Sequence, residues 1–184
     1  MARKFSLNPD QYETPSIDSL RAAWSNIPHA EARGVIAVEA QYLAFHHYLL
    51  DSLRHQSVGG GDAIPIGLSV RAGALKTATL LCASIAEAAL RSHAEARGYG
   101  LPNDVNRRTF GKVLGAWQLP DGSPKPDVAP IWPQLQRLHN GRNTVHLYAS
   151  IQAGSNFYDI LQAEGQSLAE AEAVLEHLRN LVSA

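Results

Sequence analysis

The chain has 184 residues, 45% of them hydrophobic and 18% charged, with a formal net charge of −1. That composition excludes a disordered polypeptide and suffices for one core-bearing domain. The near-zero charge excludes bulk attraction to nucleic acid or an anionic membrane while leaving room for a local basic cleft.

Residues 1–13 read as a flexible N-terminal arm, and MARKFSLNPDQYETP lacks the apolar stretch of a signal peptide. Domain-forming sequence runs over 14–184. Thr14-Pro15-Ser16 predicts a helix start, with proline in the first turn and a hydroxyl cap; the helix carries Ile17, Leu20, Trp24 and Ile27 and stops near Pro28. From Ala30 to about Gln56, the residues Val35, Val38, Tyr42, Phe45, Leu49 and Leu53 fall at helical spacing and predict the core-facing stripe. SVGGGDAIPIG (57–67) then breaks the helix.

SVRAGALKTATLLCASIAEAALRSHAEARGYG (69–100) predicts a long central buried helix, closed by Gly98 as a left-handed cap. It holds the single cysteine, Cys82, in an apolar run. No intrachain disulfide can form, and the expectation is a small core hydrophobe in a reducing compartment. RRTFGKVLGAWQ (107–118) predicts a moderate helix, and LPDGSPKPDVAP (119–130), with four prolines, a partly mobile loop. IWPQLQRLHNGRNTVHLYAS follows as a helix with Pro133 near its start. Residues 151–166 are ambiguous and read as a turn plus one helical turn. Ser167-Leu-Ala-Glu170 predicts a capping box opening a final amphipathic helix. No alternating strand, repeat or interdomain linker interrupts the pattern. The expected fold is all-α, a single-domain bundle of five to six helices. No run reaches 18 uninterrupted apolar residues, so no membrane span is expected and the cytoplasm is the expected location.

The chemistry concentrates in HNGRNTVHLY (139–148). At about 100° per residue, His139, Arg142, Asn143 and His146 fall within about 100° of one another on a helix, whereas Arg137 and Tyr148 point to the far side. A histidine moves protons near neutral pH, and an arginine binds a phosphoryl group bidentately. Those roles suffice for metal-independent RNA cleavage, and a solvated polar stripe or a packed histidine is the competing structural reading. Glu87, inside the long helix, needs a partner if that helix is central, and the polar face around Arg142 is the expected one. Its expected role is structural, holding up the site. Arg107, Arg108, Lys112 and Lys125 form a modest basic group that reads either as an RNA path or as a solvated face. Adjacent His46 and His47 diverge on a helix, and no CxxC or HExxH occurs, so no metal site and no cofactor are expected. GGGD (59–62) lacks the remainder of a phosphate-binding loop.

The helix with LxxxRNxVHL, following a long Ala/Leu helix with an internal Glu (KTATLLCASIAEAALRSHAEARG), resembles the HEPN superfamily (higher eukaryotes and prokaryotes nucleotide-binding). The similarity covers roughly residues 30–184, and its distinctive core is Leu138, Arg142, Asn143, Val145, His146 and Leu147. The resemblance implies an all-α bundle that forms homodimers. In many members an R-x4-6-H motif from each subunit lines a shared RNA-cutting cleft, in toxin–antitoxin or phage-defence systems, and other members only bind. Here that arginine would stand at 139, 140 or 141, which are His, Asn and Gly. Carried over, His146 is the general acid/base, Arg142 holds the phosphate, Asn143 orients, and His139 stands in for the motif arginine. The expectations are a metal-independent endoribonuclease or a non-catalytic dimer that binds RNA, a nucleotide or a protein partner such as an antitoxin or regulator.

Overall fold

Ser16 opens the first helix through its own hydroxyl, which accepts the Ser19 N–H at 3.1 Å. The computed structural model describes residues 15–55, 64–66, 68–143 and 157–182; the predicted arm and the Gly-triplet lie outside them. Helix α1 spans Ile17–Ala23, with Pro15 just before the cap rather than inside the first turn. The chain then turns through Trp24 to bury Ile27 completely. Helix α2 spans Ala30–Ser52, α3 Leu68–Ala96, α4 Phe110–Ala116, α5 Trp132–Asn143 and α6 Phe157–Arg179. The protein is an all-α bundle of six helices among the described residues.

One short pair of strands departs from expectation. β1 (Leu53–His55) and β2 (Ile64–Ile66) pair in parallel, with Leu53 opposite Ile64 and His55 opposite Ile66. Residues 53–55, expected to continue α2, are extended instead. Three residues are too few to show the alternation by which a strand is recognised in sequence.

Helix α3 is the hub, touching α2, α4, α5 and α6. Leu75, Ala78, Cys82, Ala83, Ile85, Ala86, Ala89, Leu90 and Ala94 are buried along it. The small residues let neighbouring helices approach closely, while Leu and Ile fill the gaps. By length and hydropathy Val70–Ala96 could cross a bilayer, and 44% of its most apolar window is covered by the bundle. The Cys82 thiol is fully buried, and burial pushes its pKa up to about 12. The helix ends as predicted. Gly98 has φ +65°, the Tyr99 N–H bonds the Ala94 carbonyl at 2.9 Å, and the Gly98 N–H bonds the Glu95 carbonyl at 3.2 Å, a Schellman closure.

Three further expectations change. The predicted α2 stripe is not the core face: Ile36, Ala37, Leu43 and Leu50 are buried, while Val35, Val38 and Tyr42 are exposed. Helix α2 is apolar on both sides, so spacing alone could not decide which side meets α3. Ser167 does not cap a helix, because α6 begins ten residues earlier at Phe157 and runs through it. Glu170 is used laterally, bonding Arg137 of α5 at 2.7 Å. The proline-rich loop is pinned rather than loose. Asp121 accepts from the backbone and hydroxyl of Ser123 (2.9 and 2.6 Å), Gly122 takes φ +83°, and the Lys125 N–H bonds the Trp117 carbonyl at 2.9 Å.

The ends of the bundle are tied by one buried polar knot. Asn26 Nδ2 donates to the carbonyls of Leu178 (2.8 Å) and Leu181 (3.1 Å) and lies 3.4 Å from His93 Nε2. His93 is fully buried. Burial, with the charge of Arg97 adding to it and that of Asp127 opposing it, lowers its pKa from 6.5 to about 4. In the unfolded chain the ring binds its proton at higher pH, so this group's share of stability is complete above pH 6.5 and is lost as pH falls toward 4. Thermal midpoints measured across that interval should fall with acidification in the wild type. The slope should flatten in His93→Gln, which cannot take the proton.

Candidate functional site

Glu87 faces outward from the middle of α3 toward α5, and the sequence supplies a cation there. Arg142, in the last turn of α5, places Nη1 on Glu87 Oε2. The two are the partners expected from the sequence. The Glu87 side chain is 18% exposed and that of Arg142 39%, so the pair stands at an opening rather than in the core. The opening is a cleft of about 620 Å³ between the start of α2 and the outer face of α3. Ala30, Ala32, Val35 and Ala88 form its apolar walls, and His29, Ser84, Glu87, Arg91, Glu95 and Arg142 supply its polar groups. A volume of that size with a few convergent polar groups is typical of ligand sites.

A second ion-pair group lines the other end. Glu95 Oε1 accepts from Arg91 Nε at 3.0 Å and from Arg108 Nη1, and its Oε2 lies 3.4 Å from His29 Nε2. Burial opposes the Glu95 charge, but hydrogen bonds and charges from Arg91 and Arg108 outweigh it and hold the carboxyl below its usual range. Ser92, almost wholly buried, accepts the His29 N–H at 3.2 Å and fixes the chain where it enters α2. Sequence reasoning missed His29 and Glu95. The i, i+4 spacing of Arg91 and Glu95 was the available signal, but the contribution of Arg108 comes from an irregular segment thirteen residues downstream.

The predicted quartet does not assemble as expected. His139 turns away from Arg142 to the α4 side, where its ring meets Phe110 edge-on at 5.5 Å. There it lines a separate depression of about 380 Å³ with Gly111, Gln118, Trp132 and Gln136. A Cβ on Gly111 would stand 3.1 Å from His139 Nε2, so the glycine makes room for the ring. The positions differ by about 60° around the helix, and that offset sends Arg142 to Glu87 of α3 and His139 to Phe110 of α4. Asn143 closes α5; His146, Asn143's side chain and the segment 151–156 lie outside the described residues.

The basic group also divides. Arg108 is built into the structure: besides Glu95, its Nε donates to the Pro102 carbonyl at 2.7 Å, tying the turn before α4. Arg107 and Lys112 are exposed, with Arg107 3.7 Å from Asp104. Lys125 lies over the Tyr99 ring at 4.4 Å, next to Trp117. Helix α4 starts only at Phe110 with Thr109 as its cap, so the two arginines precede it rather than projecting from it.

The chain matches no family model, no curated protein sequence and no solved structure.

Because the Glu87–Arg142 pair is partly solvated, its loss should cost little. Glu87→Gln is expected to lower stability by about 1 kcal/mol or less, measurable by chemical denaturation. A much larger loss would mark the pair as a structural element rather than a solvated site.

Proposed function

We propose that this protein is a HEPN-like RNA-binding module whose α2–α3–α5 cleft seats a phosphodiester at Arg142. The observation that carries the reading is the guanidinium of Arg142, partly solvated in the wall of a ligand-sized cleft and held in place by Glu87. Guanidinium binds phosphate through two parallel N–H bonds. A carboxylate behind it limits the rotamers it loses on binding and competes with the phosphate for the same donors. Glu31, Glu87 and Glu95 around the cleft hold the field down against Arg91 and Arg142. Binding is therefore modest and selective rather than a polyanion trap. Arg107 and Lys112 offer an outlying electrostatic path.

A second reading, metal-independent cleavage of the bound RNA, rests on His146. It follows Arg142 by four residues in the sequence and lies outside the described residues. His139 has no part in either reading, since it faces the other depression. A role as a toxin or in phage defence belongs to the cleavage reading.

Fluorescence anisotropy with labelled single-stranded RNA separates these outcomes. Arg142→Ala should weaken binding about tenfold or more and reduce the salt slope by about one. Glu87→Gln should tighten binding, since a competing carboxylate is removed. Arg137→Ala, on the far side of α5 and paired with Glu170, should leave affinity unchanged. Absence of binding by the wild type would end the proposal. RNA cut by the wild type but not by His146→Ala would establish the cleavage reading.

A further inference from the structure

Helix α2 carries two apolar faces. One, with Ile36, Leu43 and Leu50, is buried in the bundle. On the other, Val35 lies in the cleft wall, and Val38, Tyr42, Phe45 and Leu49 continue the row toward the end of the helix. Val38 and Tyr42 are 54% and 50% exposed, while Phe45 and Leu49 are half-buried. A row of large apolar side chains on the water-facing side of one helix is an interaction surface rather than scattered surface apolarity.

The path of the chain says which segment meets it. Gln41 Nε2 donates to the Pro15 carbonyl at 2.9 Å, and Arg33 Nη2 donates to the Ile27 carbonyl at 2.8 Å. Helix α1 therefore runs back along α2, from the level of Gln41 to that of Arg33. The residues before Pro15 come in at Gln41, at the edge of the exposed row. At about 100° per residue, Val38, Tyr42, Phe45 and Leu49 all lie on one side of Gln41 and within about 100° of it. The incoming residues, MARKFSLNPDQYET, precede the described part of the chain and carry Phe5, Leu7 and Tyr12, too few to form a core of their own.

We infer that residues 1–14 pack along this row, with Tyr12 against Val38 and Tyr42 and with Phe5 and Leu7 farther along, toward Leu49. Phe5 and Leu7 are two residues apart, the spacing that points both to one side of an extended chain. Asn8 precedes Pro9, which favours extended backbone there. The eight residues from Leu7 to Pro15 span at most about 27 Å, whereas Gln41 and Leu49 are about 12 Å apart along the helix. The segment therefore reaches with slack to spare. Attachment at Pro15 presents its side chains to the face at an effective concentration on the order of millimolar. That favours it over a second copy or a separate partner present at micromolar levels. The packing is independent of whether the cleft binds RNA.

Chymotrypsin cleavage of the full chain after Phe5 and Tyr12, read by mass spectrometry against a free peptide of residues 1–16, tests this. Both bonds should be cut about tenfold or more slowly in the full chain, since cleavage waits for the segment to lift off. Protection should persist over about a hundredfold dilution, as it must when the covering segment belongs to the same chain. Tyr42→Arg, at an exposed position, should restore cleavage to near the peptide's rate. New cuts confined to residues 1–14 distinguish release of the segment from unfolding. Leu7→Asn, read at Tyr12, should do the same without touching the bundle, and combining the two changes should add nothing further. Val105→Asp, at an exposed apolar position before α4, should leave the rates unchanged. Cleavage at the peptide's rate in the wild type overturns the inference, whatever second copy or other protein then covers the face. So does protection that Tyr42→Arg leaves intact, and so does protection lost on dilution.

Discussion

The architecture depends on one demand, that the apolar faces of a 29-residue helix be covered by other elements. Helices α2, α4, α5 and α6 all pack on α3, and their order in the chain matters less than the fact that each lends it a face. A polar group on such a helix is costly unless another element answers it. Glu87 is answered by α5, Glu95 by the turn before α4, Ser92 by the start of α2, and His93 by Asn26. The polar residues of α3 act as addresses that tell the surrounding elements where to dock, and the cleft is what remains where two such addresses face solvent.

The fold class and the central helix were legible because α3 is long and its composition leaves little choice of environment. The Glu87–Arg142 pair was legible for the same reason: a carboxylate on a buried helix demands a cation, and Arg142 lay on the polar face of the next long helix but one. The direction of His139 was not legible. A wheel places residues on a face but does not say where the neighbouring helices lie, and α5 is contacted on two sides. The core face of α2 was illegible because two apolar stripes compete on the same helix. Capping failed at Ser167 because the Ser-x-x-Glu spacing also occurs inside continuous helices, where a serine faces solvent and the glutamate is free to reach Arg137.

Arginine has two distinct uses in this protein. Arg33, Arg97 and Arg108 reach backbone carbonyls, the last two in addition to carboxylates: Arg33 the Ile27 carbonyl at 2.8 Å, Arg97 the Val182 carbonyl at 2.7 Å, and Arg108 the turn before α4. Each closes a segment that has no helix or sheet to satisfy it. Burial disfavours the Arg97 charge, but hydrogen bonds and charges from Tyr99 and Asp127 outweigh it, and its pKa is raised. Arg142, by contrast, spends its described contact on a single carboxylate at an opening. That difference in partnership, more than any difference in residue type, distinguishes a cation that braces the fold from one placed to meet a ligand.

The knot around Asn26 has a consequence for biosynthesis. Asn26 bonds carbonyls 152 and 155 positions downstream, and α6, which covers α3, begins about sixty residues after α3 ends. On the ribosome, a strongly apolar α3 emerges with only α1 and α2 available to cover it, so the nascent chain holds a half-shielded greasy rod until α6 clears the exit tunnel. Folding of the bundle waits for α6, and its vulnerability to aggregation is concentrated in that interval.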